Sequence, residues 1–193
     1  MMRYICGNIM STPVEYESIH SVAGEKYLGG RYNFHRGPWV AGPYGEAQYP
    51  VSAEQFEGNC QLLVHTLYHE RFGVQLPVGM WSQELYTDTE YFRFLDPAEE
   101  LLAEGDIFFF GKQTEAIDLR TLHVAYNTGT SDAQGNPLLI HATPYNGEGV
   151  TVWPLPQFFS RKPDGSPQFC RYQHLFGIKR LQQDLYSIFR ASQ

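Results

Sequence analysis

The chain has 193 residues, 42% of them hydrophobic and 15% aromatic, which suits one domain with a buried core and leaves too little for two of ordinary size. Fourteen basic and twenty-one acidic residues give a formal net charge of −7 without any basic cluster, which excludes the electrostatic footprint of a nucleic-acid binder. No run reaches the ~18 apolar residues that a bilayer span requires, and the three cysteines, Cys6, Cys60 and Cys170, lie far apart without a CxxC pair, which excludes a disulfide scaffold or a structural zinc site.

The N-terminal stretch MMRYICGNIMSTPVEY has one basic residue and no continuous apolar core before Ser11 and Thr12, so it does not read as a signal peptide. The expected location is the cytoplasm, or outside the cell by a route that uses no such leader. Glycine and proline then punctuate the chain from Gly24 to Pro50 too often for long elements, so loops are expected, with a short helix near Val14 to Val22. Tyr27, Tyr32, Phe34, Trp39, Tyr44 and Tyr49 are interleaved there and either wall a cleft or pack over the core. Residues 1–55 are thus a loop-rich N-terminal extension or part of the same domain as residues 56–193.

Asn59 to Pro77, NCQLLVHTLYHERFGVQLP, reads as an amphipathic helix. Asn59 is suited to the N-cap, Leu63, Val64, Leu67 and Tyr68 fall on one stripe, Gly73 supplies the left-handed C′ position, and Pro77 forbids continuation. Cys60 falls in the first turn, where the macrodipole and unpaired N–H groups favour an anion, so an activated thiolate is expected. His65 and His69 are spaced i, i+4, but Gly73 stands where a zincin motif needs its second histidine. They are read as a solvated helix face, with no metal.

Beyond the helix, Val78 to Leu95 is mixed, and Asp96-Pro97 opens a helical turn that runs to Leu102. Four short strands follow at Asp106 to Phe110, Leu122 to Tyr126, Leu138 to Ala142 and Gly149 to Trp153, with a turn-rich loop from Asn127 to Gly135. Tyr172 to Leu181 closes the sheet as a last strand. A helix followed by sequential strands with short connections predicts an α+β domain, the Cys60 helix packed on an antiparallel sheet.

His123 and His141 lie on two of these strands, each on the side opposite its more apolar neighbours. If the strands are adjacent, both rings can reach the same helix end and form a Cys–His–His relay. Cys60 would attack a carbonyl, His123 would take and return the proton, and His141 would orient His123 through its second ring nitrogen. A backbone N–H at the helix start, such as that of Cys60, would help hold the oxyanion.

The run Phe56-Glu57-Gly58-Asn59-Cys60-Gln61-Leu62-Leu63-Val64, continuing to Phe72-Gly73-Val74-Gln75-Leu76-Pro77, resembles the nucleophile helix of the NlpC-type cysteine peptidases of bacterial cell walls. There a Phe-Asp-Cys-Ser-Gly-Leu-Val pattern leads to Gly-x-x-Leu-Pro. Gly105-Asp106-Ile107-Phe108-Phe109 is similar to that family's Gly-Asp-Leu-hydrophobic-Phe strand, Leu122-His123-Val124-Ala125-Tyr126 to its His-Val-Gly-Ile-Tyr strand, and Ile140-His141-Ala142-Thr143 to its Ile-His-Ala-Ser segment. The four motifs stand in the family order and span residues 56 to 154.

The resemblance implies a papain-like α+β domain with Cys60 as nucleophile, His123 as general base and acid, and His141 as the orienting residue. It implies hydrolysis of peptidoglycan peptides between γ-linked D-glutamate and diaminopimelate or lysine, without metal or cofactor. It also implies a tyrosine near the thiol, which Tyr44 in Gly42-Pro43-Tyr44-Gly45 matches best, with Tyr49 competing. Asn59 in place of aspartate removes a charge beside the thiol, and Gln61-Leu62 in place of Ser-Gly alters the substrate-facing turn. Asn59, Gln61 and Tyr44 are therefore the expected substrate-contacting residues. These departures also leave open a homologue that only binds cell-wall peptide, or an acyltransferase using the same thiol.

Overall fold

A computed structural model of the chain describes residues 22–38, 52–77, 79–111, 118–145, 149–161 and 174–182. Helix α1 covers Cys60–Phe72, with both ends closed by the residues that predict them. Asn59 is extended and its side-chain oxygen accepts from the N–H of Leu62 at 3.0 Å, a cap worth about 1 kcal/mol. Gly73 takes a φ of 66°, and its N–H reaches the carbonyl of His69 while that of Val74 reaches Tyr68.

The helix is not amphipathic as expected: every residue from Leu62 to Tyr68 is buried, His65 included. One side lies on the sheet, where the Tyr68 and Tyr126 rings meet edge to face at 5.7 Å. The outer sides are covered by Ala23 and Tyr27 before the helix and by Met80 and Leu85 after it. The imidazole of His65 donates through Nε2 to the carbonyl of Met80 at 3.0 Å, so this face is closed rather than solvated.

Six antiparallel strands form the sheet: β3 (Phe92–Phe94), β4 (Ile107–Gly111), β5 (His123–Ser131), β6 (Pro137–Ala142), β7 (Val150–Pro154) and β8 (His174–Leu181). The architecture is therefore α+β with an antiparallel sheet, ordered β3-β8-β4-β5-β6-β7. The order departs from a simple meander, because β8 lies inside the sheet, between β3 and β4, and does not close its edge. Strand β3 falls in the stretch read as mixed, and β5 runs through most of the expected loop. The β5–β6 turn is confined to Asp132–Asn136, where the Asp132 carboxylate accepts from the N–H groups of Gln134 and Asn136. Asp96 opens a single turn, its carbonyl accepting from Glu99 and Glu100, and no helix continues to Leu102.

Side-chain alternation divides the interior in two. Ile107, Phe109, Val124, Tyr126, Ile140 and Ala142 face α1 in the main core. Phe108, Phe110, Ala125, Leu139, Trp153, Phe158 and Ile178 form a second core on the other face. Behind β4, the buried Asp106 carboxylate is held by both nitrogens of an Arg180 fork, at 2.7 and 2.8 Å, and accepts from the N–H of Ala103.

The segment before α1 joins this body by backbone hydrogen bonds. Two-residue strands β1 (Arg31–Tyr32) and β2 (Glu57–Gly58) pair in parallel. The N–H of Gly29 reaches the carbonyl of Val150, and the N–H of Val150 reaches that of Gly30, so the outer edge of β7 is partly covered. The approach is so close that a Cβ on Gly149 would stand 1.7 Å from the Gly30 oxygen.

Candidate active site

Cys60 occupies the first helical position of α1 and carries a thiol outside any disulfide. Its sulfur meets the start of β5, where the N–H of Val124 favours the thiolate, as do the N–H groups of Cys60 and Gln61. The donors predicted for a helix start are thus present, but they do not prevail. The residue is only 6% exposed, and burial pushes the thiol up to about 11. The expectation of a thiolate ready at neutral pH is corrected: removal from water costs the anion more than three backbone N–H groups return.

β5 and β6 are neighbours, and His123 and His141 share a hydrogen bond at 2.8 Å between Nε2 of the first and Nδ1 of the second. The rings cross at 80° with centroids 5.0 Å apart. Among the described residues the paired positions of the two strands start at Tyr126 and Ile140, so both histidines lie beyond the ladder.

Both rings lie against the second core, on the face away from the body of α1. His141 packs on Trp153 at 4.3 Å and on Phe158 at 4.8 Å, and Phe158 stacks on Phe110, the partner of His123 across the β4–β5 ladder. Burial, reinforced by repulsion from His123, holds the pKa of His141 well below the usual imidazole range, so it is neutral at physiological pH. Either ring can be the donor in this bond, because the direction depends on which nitrogen of each imidazole carries the proton.

The structure therefore joins His123 to His141 directly, and brings the Cys60 sulfur to the backbone of the residue after His123. Asn59 is buried and caps the helix; Gln61 is half-buried and contributes its N–H at the sulfur. Tyr44 and Tyr49 lie outside the described residues, as do Cys6, Cys170 and the helix expected before Val22. Trp153 and Phe158, the aromatic wall behind the histidines, were not singled out from the sequence. Four residues separate them and a 3-10 turn over Leu155–Phe159 brings them together, a placement for which periodicity gives no signal.

Among the described residues no group of three or more His, Cys, Asp or Glu is placed to hold an ion. No described helix is long and apolar enough to cross a membrane. In comparison with known proteins, no family model matches the chain and no curated protein matches it.

Proposed function

We propose that the protein is a cysteine endopeptidase or amidase acting on peptidoglycan peptides of the γ-D-glutamyl–diamino acid type. The observation that carries this reading is the 2.8 Å hydrogen bond between His123 and His141, together with a helix-terminal cysteine whose sulfur meets the N–H of Val124, the residue after His123. The resemblance of four ordered motifs to the NlpC-type peptidases supports the same assignment and supplies the substrate class.

With Nε2 of His123 engaged by His141, Nδ1 is the nitrogen left to serve the thiol, whose sulfur meets the neighbouring N–H of Val124. Because the resting thiol is protonated, attack and proton transfer occur together: Sγ bonds to the substrate carbonyl carbon as Nδ1 takes its proton. Nε2 then donates to neutral His141, which spreads the new positive charge without accepting a second proton. The oxyanion receives the N–H of Cys60 at the positive end of α1. His123 returns its proton to the departing amine, leaving a thioester, and then draws a proton from the water that hydrolyses it.

Release of new amino groups from soluble muropeptides and intact sacculi, followed by mass analysis, tests this reading. Cys60→Ala is expected to abolish release while the fold persists; undiminished hydrolysis, or none by the parent, overturns it. A second reading is favoured by one observation, the burial that keeps the thiol protonated. On that reading the region around Cys60 serves as a binding site for wall peptide, and the parent binds muropeptide without cleaving it.

A further inference from the structure

The Cys60 end of α1 is flanked by a turn that is fixed unusually well for a segment so exposed. Over Asn33 to Arg36 the N–H of Arg36 returns to the carbonyl of Asn33 at 3.2 Å, and the Asn33 side chain accepts from the N–H of His35 at 3.0 Å. The same side chain donates to the Glu57 carboxylate at 2.8 Å, and Arg36 meets that carboxylate at 3.4 Å. The N–H of Asn33 reaches the carbonyl of Gly58, and the N–H of Asn59 reaches that of Arg36 at 2.8 Å. The turn is therefore tied on both sides to the residues that lead into Cys60.

What this anchored turn presents at its two corner positions is a pair of exposed rings. Phe34 is 62% exposed, the most exposed aromatic among the described large hydrophobic residues, and it meets His35 edge to face at 5.4 Å and 84°. An apolar ring left in water on a mobile loop carries little information. One held by its backbone against the residues that lead into Cys60 is a preorganised contact surface, because the ordering entropy of the turn is already lost before a ligand arrives.

Asn59 links the two functions. Its oxygen caps α1 at Leu62, and its amide nitrogen donates to the carbonyl of Phe34 at 3.4 Å. Aspartate could make the first bond but has no hydrogen for the second. The asparagine preceding Cys60 is thereby matched to the turn that it holds.

We propose that the Asn33–Arg36 turn is a substrate-contacting wall of the Cys60 site, with the Phe34–His35 ring pair packing against the aliphatic part of the peptide whose carbonyl the thiol attacks. The proposal deepens the peptidase reading and rests on it for the identity of the peptide. Phe34 is a specificity-determining residue, and Asn59 is a positioning residue that acts through the turn.

The test measures binding of L-alanyl-γ-D-glutamyl-diaminopimelate by calorimetry in a Cys60→Ala background, and kcat and KM for its cleavage with Cys60 intact. Phe34→Ala is expected to weaken binding and raise KM about tenfold with kcat within twofold, because the ring is used equally in ground and transition states. Phe34→Tyr retains the ring face and is expected to restore both. Asn59→Asp keeps the cap, so its unfolding midpoint is expected to stay within a few degrees of the parent while KM rises as for Phe34→Ala. Binding of Phe34→Ala within twofold of its background overturns the wall even if hydrolysis is normal. Phe34-dependent binding without hydrolysis by the parent upholds the wall and overturns the peptidase reading alone. A Cys60→Ala protein that binds no such peptide overturns the wall as drawn.

Discussion

The protonation state of Cys60 decides how the site can work, and it is directly measurable. The thiol is pushed up to about 11 by burial, against ~8.5 for an ordinary cysteine. At pH 7 the thiolate fraction is then about 300-fold below that of an unfolded chain. Iodoacetamide reacts with the thiolate, so peptide mapping of Cys60 modification across pH 6 to 11 reports this fraction. The native rate is expected to keep rising tenfold per pH unit beyond pH 8.5, whereas the rate in urea levels off near that value. The same shift is a statement about stability. The folded state retains a proton that the unfolded chain releases, so stability is unaffected below about pH 8.5 and is lost as pH rises toward 11, by about 3 kcal/mol in all. Other groups titrate in this range, but the difference between the parent and Cys60→Ala isolates the thiol. A native Cys60 that alkylates with an apparent pKa below ~8.5 would refute the burial argument and reveal a preformed thiolate–imidazolium pair.

Two further outcomes follow from buried groups and close contacts. The pKa of His65 is pushed down to about 4 by burial, with the Met80 carbonyl opposing. Its folded value lies below its unfolded one, so its contribution is intact above about pH 6.5 and is lost as pH falls toward 4, by about 3 kcal/mol. His65→Gln keeps a donor for Met80 and is expected to flatten the urea-derived stability profile in that window, leaving the slope due to His141 and to the carboxylates of Glu57 and Glu100. An unchanged profile eliminates His65 as the responsible group. Gly149→Ala places a methyl 1.7 Å from the Gly30 oxygen, so the backbone hydrogen bonds of Gly29 and Gly30 with Val150 must separate. A loss of about 2–4 kcal/mol is expected, with loss of amide-exchange protection at Gly29 and Val150; protection equal to the parent's contradicts the contact.

The parts of this fold that short-range chemistry specifies were legible in the sequence. Asn59 and Gly73 bound α1 because a cap and a left-handed residue act within one turn, and apolar runs mark β4, β5 and β6 because these strands are buried on both faces over most of their length. The neighbourhood of His123 and His141 was legible as well, since two strands joined by one turn pair with each other. What could not be read depends on partners distant in the chain. The position of β8 between β3 and β4 is a matter of strand order, and β3, with three residues, is too short for a pattern. His65 looks solvated until Met80 and Leu85 return over it. The helix-end argument predicted the donors around Cys60 correctly but not the burial that outweighs them, because exposure is set by the whole fold.

The placement of β8 also governs the order in which the molecule can be assembled. Phe108, Phe109 and Phe110 in β4 acquire their second neighbour only when residues 174–181 arrive, more than sixty positions later in the chain. Until then an apolar strand edge stands open, the kind of surface on which unfinished chains adhere to one another. The long loop that must close before this pairing is rewarded makes sheet completion a late and slow step. Yield of active protein should therefore depend on chain concentration during refolding, with the β4 edge as the first place where two copies mispair.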